Sequence, residues 1–431
     1  MKKMTAFLLT VLSAAAFAQA PLAPTGPALP RLQDLAPSLQ VGLVPDGPEL
    51  SRIYLAALKN LDTQFLPSSD GTVYVSTGDI KAEWLRDSSV QVRPFLFLAK
   101  SNAAVAQLIK GVVLRQARYI ALDPYANAFY ENYTIHERKY ELDSLVNPIL
   151  LAWTYWKTTG DSTIFTKEVW AGFKIALETM KIEQDHAKLS KYTHRHLSGN
   201  PIAKTGLIWS GFRPSDDRCH FGFNIPANAM AAQGLRALAE IATDVYADPV
   251  TAAAASKMET EVRDAIKKFG IARTRDGQTV YAYEVDGLGH AIAMDDANLP
   301  SLLSLPYYGF LDANEPLYQA TRSRLLSPKN PFYFSGSLVT GVGSPHTPKN
   351  MVWPLSLIAQ AVTSVVAADF DFALKNLINS NYGSSGLHES VHFDDASKFT
   401  RADFGWPNAM FVEMALNRWN QYPELPRVAA P

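Results

Sequence analysis

The chain has 431 residues, 40 Lys and Arg against 41 Asp and Glu, and a formal net charge of −1. That length is ample for a large core, and that balance excludes a partner held mainly by charge, such as nucleic acid or an anionic membrane surface. A single cysteine, Cys219, excludes an intrachain disulfide and a thiolate cage for a metal. Residues 1–20 read as a secretory signal: Lys2 and Lys3 lead an apolar run over 6–18, and Ala16-Phe17-Ala18 and Ala18-Gln19-Ala20 are small-x-small cleavage sites. The run is too short to span a bilayer, and no later segment is apolar enough for stable membrane insertion. Residues 21–45 form a Pro-rich leader, and 46–425 a single domain. The reading is of an exported chain, periplasmic or secreted, with no lipid-anchoring cysteine behind its apolar run.

From there the apolar spacing is helical almost throughout. It predicts helices over 50–61, 104–120, 142–156, 166–180, 250–269, 298–308, 315–326, 351–366, 370–378 and 403–419. A further one follows Asn224, which caps it ahead of Pro226, and another follows Asp87. Strand signals are confined to 72–76 and 278–285. About a dozen helices without a sequence repeat make an all-α domain, either six hairpins closed into a toroid or an open solenoid.

Polar and aromatic residues gather in the loops between these helices, where a rigid frame positions chemistry. In 76–91, Trp84, Arg86, Asp87 and Gln91 crowd a helix start that Asp87 or Ser88 is expected to cap. Residues 137–143 carry Tyr140 and Asp143. In 205–232, Trp209, Arg213, Asp216 and Asp217 precede the Asn224 helix, and adjacent carboxylates raise one another's pKa, as a general acid requires. Asp296 and Asn298 follow in MDDANLP, His346 in GVGSPHTP, and Glu389, Trp406 and Asn408 in the last loop. His388 and His392 would share a helix face, but the order His-Glu-Ser-Val-His is not a zinc motif. The paired aspartates Asp295-Asp296 and Asp394-Asp395 lack the spacing of an EF-hand. No metal or other cofactor is expected.

Taken in order, TGDI-x3-WLRDS from Thr77, TGLIWSGFRPSDD from Thr205, MDDANLPSLLSLPYYG from Met294, GVGSPHTP from Gly341, HES-x-H from His388 and Trp406-x-Asn408 resemble glycoside hydrolase family 125, the exo-α-1,6-mannosidases. The resemblance implies an (α/α)6 toroid that removes terminal α-1,6-linked mannose without metal and with inversion. It makes an Asp of Ser215-Asp216-Asp217 the general acid, with Asp216 favoured over Asp217, and Glu389 the general base. On this reading Arg86, Asp87, Arg213, Asp296, Asn298, His346 and Asn408 hold sugar hydroxyls, and Trp84, Trp209 or Trp406 stacks on the ring. The partner is an α-mannoside oligosaccharide or N-glycan fragment. Two other classes stand beside it: another toroidal α-glycoside hydrolase or phosphorylase, and a glycan-binding protein without turnover.

Overall fold

In the computed structural model, residues 31–35, 47–197, 199–381, 386–419 and 422–428 are described. The predicted signal and all of the predicted leader except 31–35, a single helical turn packed on the next helix, lie outside them. Ten predicted windows hold the helices Gly47–Asp62, Ala103–Leu122, Leu142–Thr159, Lys167–Glu183, Ile225–Asp244, Pro249–Phe269, Pro316–Leu325, Pro354–Val362, Ala367–Asn379 and Gly405–Trp419. Their ends follow local chemistry. Asn102, Thr166, Asn224 and Asp248 accept backbone N–H groups at N-caps, and Gly160, at φ 74, ends the Leu142 helix in the left-handed region.

The helices form two rings. Leu85–Val92 packs against both Leu142–Thr159 and Gly405–Trp419, Leu142–Thr159 packs against Ile225–Asp244, and Pro354–Val362 packs against Gly405–Trp419. The C-terminal helix therefore meets an N-terminal one, so the array closes into an (α/α)6 toroid. Inner helices are apolar or uncharged nearly all round because they have protein on every side; every residue of Leu85–Val92 is buried. Gly47–Asp62, Pro249–Phe269 and Ala367–Asn379 lie outside them, each with one wet face.

Three expectations are corrected. Residues 298–308 form turns rather than a helix. Pro300 and Pro306 supply no N–H, and the Asp295 carboxylate takes the N–H groups of Leu302 and Leu303 at 2.9 and 3.0 Å. This segment still fills the ring, since Gln233 reaches the Tyr308 and Gly309 carbonyls and the Tyr307 hydroxyl reaches Glu413. Residues 351–352 are a strand, because Pro354 biases the residue before it to extended backbone and opens its helix only at the first turn. His388 and His392 share no helix: Ser390–His392 is a strand between Met351–Val352 and Asp395–Thr400, and His388 stacks on Phe399 at 3.8 Å. Among the described residues there are six sheets of two or three strands. Three of them, containing Glu83–Trp84, Phe223–Asn224 and Met351–Val352, run straight into inner helices.

Candidate active site

Two of those strand-to-helix junctions, at Trp84 and at Trp353, line one mouth of the ring. Arg86 and Asp87 sit in the first turn of Leu85–Val92, Glu141 and Asp143 at the start of Leu142–Thr159, Trp353 at the cap of Pro354–Val362, and Trp406 in the first turn of Gly405–Trp419. Helix N-termini present unpaired N–H groups and a partial positive charge, which favours carboxylates there. A cavity of about 180 Å³ opens at this mouth. Trp84, Arg86, Asp87, Asp216, Asn298, His346, Glu389 and Trp406 line it, all of them predicted from sequence. Trp353, Arg401 and Phe404 line it as well. A larger cavity of about 330 Å³ lies at the far end of two of the same helices, but its Arg93–Glu413 and Arg427–Glu424 pairs neutralise each other.

Arg86 is the centre of the smaller cavity. Its guanidinium lies 2.9 Å from Glu141, 3.3 Å from Asp87 and from Asp143, and 3.8 Å from Asp216, and it rests over the Trp406 ring at 4.8 Å. One cation thus serves four carboxyl groups, and all four cannot be ionised together. Burial pushes Asp87 and Asp143 up to about 6, against the pull of Arg86. Burial, then the Asp216 charge, pushes Glu141 well above the carboxylate range. At Asp216 burial acts upward too, but it is outweighed by a hydrogen bond from Glu141 and by Arg86, Lys139 and His346, which hold Asp216 below its ordinary value.

Asp216 stands at the tip of a tight turn. Its N–H donates to the Arg213 carbonyl at 3.0 Å and the Arg213 N–H donates to the Asp217 carbonyl at 2.7 Å. The Asp216 backbone has φ 63, a region in which Asp and Asn are among the few side chains found. This aims its carboxyl into the cavity, where Asn127 Nδ2 donates to it at 3.1 Å. Asp217 is not itself in the lining but meets a residue that is, His346, whose Nδ1 lies 3.4 Å from its carboxylate. That contact, opposed by burial and aided by the charges of Asp216 and Glu389, pushes His346 up to about 9. The charges of Asp216 and Glu389 both favour the protonated form of His346. Glu389 is 7% exposed and enters from the loop before Ser390–His392.

Five predicted residues lie outside the lining, each engaged with protein. Trp209 stacks on His186 at 3.6 Å. Arg213 is bound to buried Glu284 and lies over Tyr283. Asp296 accepts the Asn298 amide at 2.9 Å and so orients a residue that does line the cavity. Asn408 accepts the Leu387 N–H at 2.8 Å and donates to the Phe404 carbonyl at 2.7 Å, fixing the approach to Glu389. Asp217 is the fifth. Trp84 rather than Asp87 or Ser88 occupies the cap position of Leu85–Val92, without a side-chain cap, which leaves Asp87 free to face the cavity. Nothing in the sequence distinguishes Arg401, which enters at φ 44 and is held by Asp79 at 2.8 Å, or Glu141, whose partners are remote in sequence.

The indole N–H groups of Trp84 and Trp406 are buried at the cavity with no protein hydrogen-bond partner. Such atoms call for a polar ligand. Aromatic faces beside unsatisfied polar groups and two acids suit a sugar ring. Among the described residues no group of three or more His, Cys, Asp or Glu is placed to hold a metal ion, and the cation between the acids is Arg86 itself.

The sequence model described as metal-independent α-mannosidase (GH125) matches residues 47–416. The meiotically up-regulated gene 157 protein of Schizosaccharomyces pombe (strain 972 / ATCC 24843) is 36% identical over 88% of this chain and 84% of its own length. A Streptococcus pneumoniae metal-independent α-mannosidase, solved in a non-productive complex with α-1,6-mannobiose, is 37% identical with a TM-score of 0.84, over 87% of this chain and 95% of that one. A glucoamylase from Hormoconis resinae, 13% identical with a TM-score of 0.62 over 89% of this chain and 78% of that one, shares the fold.

Proposed function

Since this chain belongs to the metal-independent α-mannosidases of glycoside hydrolase family 125, we propose that it releases terminal non-reducing α-1,6-linked mannose with inversion. The observation that carries this reading is Asp216 and Glu389 lining one small cavity although they are remote in sequence. The mannobiose complex of the Streptococcus pneumoniae relative supports the linkage.

In this reading Asp216 gives a proton to the departing oxygen while Glu389 takes one from the water that attacks the anomeric carbon. Positive charge develops on the ring, and the Asp87 carboxyl beside Arg86 lines the same cavity. Arg86, Asp87, Asn298, His346 and Arg401 hold hydroxyls, and Trp84 and Trp406 supply apolar faces and indole donors. The cavity is small beside the roughly 300–1,000 Å³ of drug-sized ligand sites, which favours one terminal ring and hence exo action. The predicted signal over 1–20 supports export, and the substrate class is an α-mannoside oligosaccharide or an N-glycan fragment.

The test is proton NMR of α-1,6-mannobiose hydrolysis, with and without phosphate. β-Mannose as the first product in both is expected. First-formed α-mannose refutes inversion, and mannose 1-phosphate refutes hydrolysis.

A further inference from the structure

We propose that Asn127 is the positioning residue of the general acid: its amide fixes Oδ1 of Asp216 as a hydrogen-bond acceptor, and so leaves the proton of the acid form on Oδ2 for delivery to the leaving oxygen. This rests on Asp216 being the acid. Asn127 is fully buried and stands just before Ala128–Phe129, the middle strand of the sheet that leads into the Leu85 helix. Its backbone carbonyl accepts the Leu85 N–H at 3.1 Å, and its own N–H donates to the Glu137 carbonyl at 3.2 Å. The side-chain amide has one orientation open to it. Its Oδ1 accepts the backbone N–H of Lys139 at 3.0 Å, a group that only donates, so Nδ2 faces the other way. There its two hydrogens go to two carboxyl oxygens, Glu137 Oε2 at 3.0 Å and Asp216 Oδ1 at 3.1 Å.

An amide N–H donates and never accepts, so the Asp216 oxygen it meets is an acceptor whether or not the carboxyl carries a proton. Arg86 Nη2 faces the same Oδ1, at 3.8 Å. In the acid form, the one that turns over, the proton therefore belongs to Oδ2. In turnover the Oδ2–H bond breaks and the proton joins the glycosidic oxygen. The bond from that oxygen to the anomeric carbon breaks, and its electron pair stays on the oxygen. The negative charge left on Asp216 is met by the Asn127 N–H, and a hydrogen bond to a charged group is roughly twice as strong as a neutral one. The bond thus tightens along the reaction and contributes to kcat rather than to binding. The turn at φ 63 aims the Asp216 carboxyl at the cavity but leaves its χ angles free, and the side chain is 20% exposed. The Asn127 bond sets its rotation, and Lys139, 2.7 Å from the other oxygen of Glu137, keeps the brace in place.

Asn127→Ala removes the donor. Values of kcat and KM are measured on α-1,6-mannobiose and on α-mannosyl fluoride, whose departure needs no acid, in the wild-type and Asp216→Asn backgrounds. The expected result is a loss of about 10- to 100-fold in kcat on mannobiose, with KM and fluoride hydrolysis within about threefold of wild type. Added to Asp216→Asn, Asn127→Ala is expected to cost nothing further, because it acts through the acid. An unchanged kcat on mannobiose, equal losses on the two substrates, a loss confined to KM, or losses that multiply in the double variant overturn the proposal. They leave Asn127 a tie between the 127–139 hairpin and the Leu85 helix. Wild type that fails on mannobiose, or Asp216→Asn that spares it, removes the reading on which the proposal rests, whatever Asn127→Ala does. Should Asn127→Ala lose the wild-type circular dichroism, Asn127→Ser, which keeps a polar group beside the Lys139 N–H and is too short to reach Asp216, carries the same comparison.

Discussion

Replacing Arg86 by methionine keeps the length of the side chain and removes the one cation shared by Asp87, Glu141, Asp143 and Asp216. Breaking a buried ion pair costs about 3–5 kcal/mol because charge is left uncompensated. Here the structure provides an escape. Burial holds Glu141 well above the carboxylate range, and Asp87 and Asp143 titrate near 6, so at pH 7 each of these two can take a proton for about 1.4 kcal/mol. The pH-dependent part of the penalty is therefore about 3 kcal/mol at pH 7 and close to nothing at pH 5, with a constant remainder from the lost Trp406 contact. The sign follows from a folded value above the unfolded one: these acids bind protons more tightly in the fold, so wild-type stability falls as pH rises from about 4 through 6, and the variant extends that fall to higher pH. In a chain of this size about 3 kcal/mol is roughly 3–4 °C of Tm. Thermal unfolding of both proteins from pH 5 to 8, followed by circular dichroism, measures it. A Tm difference that stays constant, or narrows as pH rises, refutes the reasoning that burial of shared charge governs this cluster.

The same structure makes three further predictions. His346→Gln removes a group whose folded pKa, about 9, exceeds its ordinary 6.5; its stabilisation is full below about 6.5 and lost as pH rises through 9, so the Tm gap between variant and wild type closes above pH 9 in the same scan, and a gap unchanged from pH 6 to 10 excludes the imidazolium. Asp216→Asn, chosen because Asn tolerates φ 63, is expected to lose about 100-fold or more in kcat/KM on mannobiose but little on α-mannosyl fluoride, whereas Glu389→Ala loses on both; steady-state kinetics that show the reverse pattern exchange the two roles. Exhaustive chelation is expected to leave mannobiose hydrolysis unchanged, and activity lost to EDTA and restored by calcium or zinc refutes that.

The helical frame was legible because its signals are local. Asn224 followed by Pro226 announces a helix start whatever the rest of the chain does, and the Leu142 helix carries its own apolar face. The failures came where a distant or competing partner decided the outcome. Residues 298–308 have helical spacing, yet Asp295 holds their N–H groups and two prolines withhold theirs. The motifs led to Arg86, Asp87, Asp216 and Glu389 in the cavity, but motif membership does not separate a residue that faces the ligand from one that supports it. Arg213 and Asn408 sit in the same motifs and bind Glu284 and the Leu387 backbone. Glu141 was invisible for the opposite reason: it lies in a charged stretch, ERKYELD, that reads as a solvated face, and only the closed ring buries it beside Asp216.

A pocket assembled from the opening turns of several helices has its recognition surface at the ends of structural members whose lengths are secured elsewhere. Arg86, Trp353 and Trp406 project from first turns, while the bodies of their helices are locked against neighbours deeper in the ring. Exchange of a side chain at such a tip alters what is bound and is felt first by its buried partners at the mouth, as Arg86 over Trp406 shows. The frame and the cargo can then diverge at different rates, as the glucoamylase that keeps this architecture at 13% identity illustrates. For a designer, recognition is changed at the tips together with their buried partners, and the frame is kept in the shafts.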